Sequence, residues 1–209
     1  FEHGEGAYLF DDKGNKYLDF VSGIAVNALG YKNKNFIDSI TKQLNKINHS
    51  SNLFYVEPQG VLAKKISEIS GLDKLFFCNS GAEANEAAIK LARKYALLNK
   101  KGNKIVAMKN SFHGRTLGSL TLTGQEKYRN KFLPLVPNVE YIEFNDINAL
   151  ENIMDNDVCA VITECIQGEG GIIPMEKEFY LGLRKLCDKH NALLIIDEVQ
   201  TGIARCGEF

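Results

Sequence analysis

The chain has 209 residues, of which 44% are hydrophobic and 24% are charged, a composition that supports a buried core and excludes disordered and fibrous classes. Its 25 basic and 26 acidic residues are mixed along the chain and give a net charge of −1, so no electrostatic footprint for nucleic acid or an anionic membrane is present. No apolar run approaches the roughly 20 residues of a membrane span, and five cysteines without CxxC spacing favour reduced thiols in the cytoplasm.

The predicted elements begin with a β-hairpin and continue as an alternation of helices and strands. Residues 7–10 and 16–20 flank the turn sequence Asp-Asp-Lys-Gly-Asn. Helices are predicted over 36–47, 59–69, 82–98, 147–154 and 178–190, and strands over 75–78, 104–108, 139–144, 158–166 and 192–197. This alternation indicates an α/β fold with a mostly parallel sheet flanked by helices.

The segment Cys-Asn-Ser-Gly-Ala-Glu-Ala-Asn-Glu over 78–86 opens the third of these helices. The backbone N–H groups of Gly81 and Ala82 have no intrahelical acceptor there, and with the Ser80 hydroxyl they would form a phosphate site. Ser80 and Glu83 also fit the capping box S-x-x-E, which needs no ligand. Both interpretations stay open on this segment alone. Apolar residues at 84, 88, 91, 92, 95 and 98 form the expected buried stripe of the helix.

Two further loops follow predicted strands and carry candidate functional side chains. Phe112 could stack on a flat ring and Arg115 could bind a carboxylate in a bidentate fashion, although a core phenylalanine and a solvated arginine are the simpler alternatives. Glu164 and Glu169, in Glu-Cys-Ile-Gln-Gly-Glu-Gly-Gly, could act as an acid/base pair, or the loop could simply be flexible. No metal site is predicted, because no metal-ligand spacing links His3, His49, His113 and His190.

The stretch Ala-Leu-Leu-Ile-Ile-Asp-Glu-Val-Gln-Thr-Gly over 192–202 ends an apolar strand in Asp197. A carboxylate at the end of a buried strand is costly without a partner. Open α/β sheets bind ligands at this carboxyl edge, so a cationic ligand is the expected partner. The protonated ring nitrogen of pyridoxal phosphate would satisfy it.

Together these motifs resemble those of the class III aminotransferases, and they occur in that family's order. The earlier segment Tyr-Leu-Asp-Phe-Val-Ser-Gly-Ile-Ala-Val-Asn-Ala-Leu-Gly belongs to the same resemblance, which covers nearly the whole chain. The resemblance implies the type I fold of pyridoxal-phosphate-dependent transferases and a homodimer. It also implies an N-terminal segment over 1–45 and an incomplete large cofactor-binding domain over 46–209.

Carried over residue by residue, the resemblance assigns one group of positions to the cofactor. Asp197 would face the pyridine nitrogen, Gln200 would bind the phenolic oxygen of the ring, and Val199 and Phe112 would pack on its two faces. The phosphate would be held by Ser80, Gly81 and Ala82.

A second group of positions would serve the substrates. Arg115 would bind the α-carboxylate, and Glu169 would pair with an arginine that cannot be identified in this chain. Ile24 stands where relatives that use free ornithine carry a tyrosine, which favours an acylated substrate. The resemblance therefore implies transfer of an amino group between N-acetylornithine and 2-oxoglutarate in arginine biosynthesis. Ornithine or succinylornithine transamination, an aminomutase, and a catalytically dead fragment remain as alternatives.

Three departures from the family pattern are visible. Gly-Tyr-Lys-Asn-Lys-Asn from position 30 replaces Gly-His-x-His-Pro, and Cys165 replaces a proline. The family's Schiff-base lysine lies downstream of the Asp-Glu-Val-Gln motif, whereas no lysine follows Lys189 here. We therefore expect the 209 residues to be the front part of an enzyme, inactive alone and lacking a threonine that the family donates across its dimer.

Overall fold

A computed structural model of the chain describes residues 1–207. It divides into two compact units, the first formed by residues 1–76 with the segment from Gly202 and the second by residues 77–201. The elements of the first unit are the strands β1 (His3–Glu5), β2 (Tyr8–Phe10) and β3 (Lys16–Leu18), and the helices α1 (Ser22–Ala25), α2 (Lys34–Leu44) and α3 (Glu57–Ser70).

The strands of the first unit form an antiparallel sheet in the order β1-β2-β3. The predicted hairpin is confirmed by the pairing of β2 with β3, and β1 adds a strand that the sequence analysis did not predict. The Asp11 carboxylate closes the hairpin turn by accepting hydrogen bonds from the N–H groups of Lys13 and Asn15 at 3.0 and 2.8 Å. Local side-chain acceptors of this kind fix the turn without any contribution from a core.

The short element α1 is a left-handed turn built mostly from residues that disfavour it. Ser22, Ile24 and Ala25 have φ angles of 49°, 63° and 65°. Left-handed backbone costs an L-residue roughly 1–2 kcal/mol, and a β-branched side chain makes it rarer still. The Asp19 carboxylate offsets part of this strain, because it accepts hydrogen bonds from the N–H groups of Val21 and Ser22.

The second unit contains the helices α4 (Gly81–Leu98), α5 (Leu117–Leu122), α6 (Glu126–Arg129), α7 (Ile147–Ile153) and α8 (Lys177–Lys189). Its strands are β4 (Lys104–Met108), β5 (Val139–Ile142), β6 (Val158–Glu164), β7 (Ile166–Gln167), β8 (Ile173–Pro174) and β9 (Leu193–Asp197). Four of them form a wholly parallel sheet in the order β5-β4-β6-β9. This sheet confirms the predicted α/β architecture.

Each face of the parallel sheet carries its own hydrophobic cluster, because successive side chains of a strand point to opposite faces. Val106 and Val161 belong to the cluster that includes Phe179 and Leu183 of α8. On the other face, residues of β4 and β6 pack with α4 through Ile105, Ala107, Ala160, Ile162, Ile89 and Ala92. All of these residues are at most 6% exposed, so both faces of the central strands β4 and β6 are shielded from solvent.

Two sequence predictions are wrong. Residues 75–78 do not form a strand; a strand needs backbone hydrogen bonds to a neighbour, and none pairs with this segment among residues 1–207. The buried stripe of α4 runs through Asn85, Ile89, Ala92 and Ala96, whereas Leu91 and Leu98 of the predicted stripe are exposed. The apolar pattern misplaced this stripe because small alanines and an asparagine, rather than the leucines, face the sheet. Among the described residues no helix is both long and apolar enough to cross a bilayer.

Candidate active site

The candidate site lies at the carboxyl edge of the parallel sheet, where β4, β6 and β9 end. Asp197, the last residue of β9, is 9% exposed. Its Oδ2 atom accepts hydrogen bonds from Asn85 Nδ2 and His113 Nδ1, both at 2.8 Å. Its Oδ1 atom accepts one from the Val199 N–H at 3.0 Å, so this oxygen keeps capacity for a further donor.

These contacts hold Asp197 in its charged form. Burial alone would raise the pKa of the Asp197 carboxyl. The hydrogen bond and charge of His113 oppose this effect, as do the bonds from Asn85 and the Val199 N–H, and the pKa of Asp197 lies below its ordinary value. A buried carboxylate prepared in this way is suited to bind a cationic group at the sheet edge.

Asn85 and His113 are the partners of Asp197 that the sequence analysis missed. The Asn85 amide also donates to the His113 carbonyl oxygen at 2.8 Å, so one side chain fixes both other residues. The His113 N–H donates to Thr123 Oγ1 at 2.9 Å, which anchors the loop after β4. A signal for Asn85 existed, because it is the one polar residue at the 85, 89, 92, 96 spacing of α4. His113 enters the sequence analysis only as a rejected metal ligand.

The N-terminus of α4 is capped as the capping interpretation predicts, and backbone N–H donors of its first turn still remain free. Ser80 Oγ accepts the N–H of Glu83 at 3.2 Å, which is one half of a capping box. The Glu83 carboxylate reaches one residue further back than in the standard motif and accepts the Asn79 N–H at 2.7 Å. The N–H groups of Gly81 and Ala82, in the first turn, have no intrahelical acceptor and can bind an anion.

Close packing joins the helix N-terminus to the segment after β9. A Cβ atom on Gly81 would lie 2.7 Å from Val199 Cγ2, so only glycine allows Val199 to pack there. Likewise a Cβ on Gly168 would overlap the Gln200 amide, which therefore lies against the loop after β7. The structure thus brings the predicted phosphate site together with Asp197, Val199 and Gln200 around one edge of the sheet.

The predicted substrate residue Arg115 is exposed and stacks on an aromatic pair. Its guanidinium carbon lies 4.0 Å from the centre of the Tyr128 ring and 5.6 Å from that of Phe112. The two rings meet edge to face with centres 5.9 Å apart. Tyr128 belongs to α6, a helix of four residues with no sequence periodicity, so nothing in the sequence pointed to it. These two ring contacts restrain the position of the guanidinium.

The two predicted acids of the glycine-rich loop differ in environment. Glu164 ends β6 and is 8% exposed, while Glu169 is exposed to solvent. Glu164 Oε1 accepts the Phe112 N–H at 3.3 Å, and its Oε2 atom is buried without a partner among the described residues. Burial raises the pKa of Glu164 to about 8, and the charges of Asp197 and Glu169 add to this effect against the Phe112 hydrogen bond.

Ile24 belongs to the first unit, where it is 60% exposed within the left-handed turn α1. Its substrate role stays a prediction. Within residues 1–207, no group of three or more histidine, cysteine or acidic side chains comes together as a metal ligand set.

Comparisons with known proteins identify the family. The model of the class-III aminotransferases matches residues 1–209, and the chain belongs to this family. It is 54% identical over 207 residues to an acetylornithine aminotransferase of Caldanaerobacter subterraneus subsp. tengcongensis, covering 98% of this chain and 53% of the relative. It is 50% identical over 207 residues to a succinylornithine transaminase of Salmonella paratyphi B, covering 98% and 51%. The chain therefore spans about half the length of the curated relatives it matches.

Solved structures agree on the fold. An ornithine aminotransferase from Toxoplasma gondii ME49 matches with a TM-score of 0.89 and 33% identity, covering 95% of this chain and 48% of that one. An N-acetylornithine aminotransferase from Stenotrophomonas maltophilia K279a matches with a TM-score of 0.82 and 38% identity, covering 96% and 50%. These matches confirm the predicted transferase fold.

Class-III aminotransferases depend on pyridoxal phosphate, and the residues of this edge fit that group. Its phosphate needs the donors that the start of α4 leaves free. Its pyridine nitrogen, when protonated, needs an ionised partner, and Asp197 is a buried carboxylate whose Oδ1 atom can accept another hydrogen bond. The chemistry of these two donor and acceptor sets matches the two charged ends of the cofactor.

Proposed function

We propose that the full-length protein containing this chain is a pyridoxal-phosphate-dependent transaminase. It moves an amino group between N-acetylornithine and 2-oxoglutarate. The observation that carries the proposal is the ionised Asp197 carboxylate, fixed by Asn85 and His113 beside the free N–H groups of α4. When bound, pyridoxal phosphate supplies the electron-withdrawing ring that carries the amino group between the substrates.

In this proposal the residues of the chain hold and polarise the cofactor. Asp197 keeps the pyridine nitrogen protonated, and Gln200 binds the phenolic oxygen. Phe112 and Val199 pack against the ring. The phosphate is bound by Ser80, Gly81 and Ala82. Each of these roles requires a group at the sheet edge, where all of these residues lie.

Arg115 is proposed to bind the substrate α-carboxylate and so to orient the bond at which the proton is removed. Its stack on Tyr128 supports this role, because a planar guanidinium lying on a ring presents its edge N–H groups to a ligand. Glu169, exposed on the neighbouring loop, is proposed to pair with an arginine that binds the second carboxylate of 2-oxoglutarate. Ile24 is proposed to favour an acylated substrate over free ornithine.

The choice among acyl groups rests on the relatives. Their names point to acetylornithine and to succinylornithine, both of which are N-acylated ornithines. N-succinylornithine is therefore the second candidate substrate.

The test uses the full-length protein loaded with pyridoxal phosphate and supplied with 2-oxoglutarate. We expect kcat/KM for N-acetylornithine to exceed that for ornithine by at least about tenfold, which corresponds to roughly 1.4 kcal/mol of discrimination. Asp197→Asn should abolish turnover and weaken cofactor binding, whereas Asp12→Asn, at an exposed acid of the first unit, should leave both unchanged. Turnover that persists in Asp197→Asn, or a preference for ornithine, would contradict the proposal.

We also propose that the protein works in the cytoplasm as a homodimer. Buried, reduced Cys159 and Cys187 suit a reducing compartment. Several large apolar side chains of the first unit are more than half exposed, which is typical of interfaces, namely Phe20, Leu53, Phe54 and Tyr55. Light scattering on the full-length protein should give twice the chain mass; the mass of a single chain would contradict it.

A further inference from the structure

Glu164 is a buried acid to which neither the cofactor nor the substrate roles above give a task. It ends β6 and is paired in register with Asp197, which ends β9. Paired positions of neighbouring strands point to the same face of a sheet, so the two acids are side-by-side neighbours. Both are more than nine-tenths buried. Two carboxyl groups in such a place cannot both carry a charge at low cost.

The hydrogen bonds of the two acids are unequal. Asp197 accepts three, at 2.8, 2.8 and 3.0 Å, and two of the donors are side chains fixed by further bonds. Glu164 accepts one long bond of 3.3 Å from the Phe112 N–H. Its Oε2 atom is buried and has no partner among the described residues. An ionised carboxylate with an unpartnered buried oxygen is destabilised far more strongly than a protonated one.

The groups that face Glu164 favour the same outcome. Asp197 on β9 and Glu169 on the loop after β7 are acidic, and both raise the pKa of Glu164. From the loop after β4, His113 directs its Nδ1 atom to Asp197 rather than to Glu164. Burial is the largest of these influences and brings the pKa of Glu164 to about 8.

We propose that Glu164 is a neutral carboxylic acid in the native protein, so that Asp197 alone of the two neighbouring acids carries a negative charge. Glu164 is then a positioning residue. Through Oε1 it holds the backbone of Phe112, and the next residue, His113, holds Asp197. The consecutive pair Phe112-His113 thus links a neutral acid to an ionised one. A buried ring nitrogen at this site would meet one negative charge instead of two.

This inference does not require the proposed transaminase activity, because the protonation of Glu164 belongs to the chain itself. It can therefore be tested on the full-length protein without cofactor or substrate. The measurement is an infrared titration that follows the carbonyl stretch of protonated carboxylic acids between about pH 5 and about pH 10.

The wild-type protein should show a protonated-acid band that disappears with a midpoint near pH 8. Glu164→Gln, which keeps the neutral shape, should lack this band at every pH. The matched control Glu169→Gln removes a nearby exposed acid and should retain it. Asp197→Asn should retain the band but lower its midpoint, because the neighbouring negative charge is gone; a purely structural role of Glu164 would not produce this shift.

A wild-type spectrum without an acid band above about pH 6, or one that Glu164→Gln leaves unchanged, would overturn the inference. If Glu164→Gln fails to fold, carbon-13 NMR of glutamate side-chain carboxyls in the wild type gives the same answer, since one glutamate should titrate near pH 8. If the protein proved not to be a transaminase, neither measurement would be affected, so each of the two proposals can be refuted without the other.

Discussion

Replacing Asn85 by alanine tests whether Asp197 is held by the side chains described above. The substitution deletes two buried hydrogen bonds from one amide, to the Asp197 carboxylate and to the His113 carbonyl, both of 2.8 Å. A bond to a charged group contributes about 1.5–3 kcal/mol and a neutral one about 0.5–1.5 kcal/mol. We therefore expect the free energy of unfolding to fall by roughly 2–4.5 kcal/mol.

The assay is urea unfolding of the full-length protein without cofactor, with Lys94→Ala as the control. Lys94 lies on the same helix at an exposed position, so its replacement should change stability by less than about 0.5 kcal/mol. Unfolding at low pH gives a second measurement. The pKa of Asp197 is lowered in the folded state, so its stabilising contribution is present above its ordinary value and is lost as the pH falls through the folded pKa.

Without Asn85 the folded pKa of Asp197 should move up, and acid unfolding should begin at a higher pH. Equal stability and equal acid midpoints for Asn85→Ala and Lys94→Ala would refute the assignment of Asn85 as a support of Asp197.

Three other outcomes are expected in the full-length protein. Tyr128→Leu should raise KM about two- to fivefold with kcat little changed, because it removes the ring that Arg115 stacks on. Tyr128→Phe keeps the ring and should behave as wild type. Equal KM values for the two variants would contradict the stack. Ile24→Gly should leave the melting temperature unchanged or raise it, because glycine relieves the left-handed backbone strain at this position. Ile40→Gly, in the middle of α2, should lower the melting temperature. A similar drop in melting temperature for both variants would contradict the strain at Ile24. Burial raises the pKa of Glu164 to about 8 in the folded state, so between about pH 4.5 and about pH 8 the native protein binds a proton that the unfolded chain does not, and stability should fall as the pH rises through this range. In pH-dependent unfolding, Glu164→Gln should flatten this slope of stability against pH. An unchanged slope would contradict the raised pKa.

The sequence predicted most elements of the second unit because their signals are local. Strand β4 has the predicted bounds, and α4 begins one residue before its predicted start. The strand predicted over 75–78 is wrong, because strand formation depends on a neighbour that a local pattern cannot supply. Helices α5 and α6 were not predicted, since neither is long enough to show a hydrophobic period.

The candidate site was predictable only in part. Asp197 stood out because an acid follows a run of buried apolar residues. Its partners could not be found in the same way: Asn85 and Asp197 are 112 positions apart, and their contact depends on how α4 packs on the sheet. The burial that distinguishes Glu164 from Glu169 likewise arises from strand pairing and not from the motif that contains both.

The long sequence separations within the site have a consequence for the supply of the protein in the cell. Asn85, His113 and Asp197 meet only when α4, β4 and β9 have assembled, so the unfolded chain has no equivalent site. A ligand that binds only the folded state stabilises it, by about 2.7 kcal/mol when present at a hundred times its dissociation constant. If pyridoxal phosphate binds as proposed, the supply of the vitamin from which the cofactor is made would determine how much of the protein escapes degradation. The same supply would also determine how much of the protein is active.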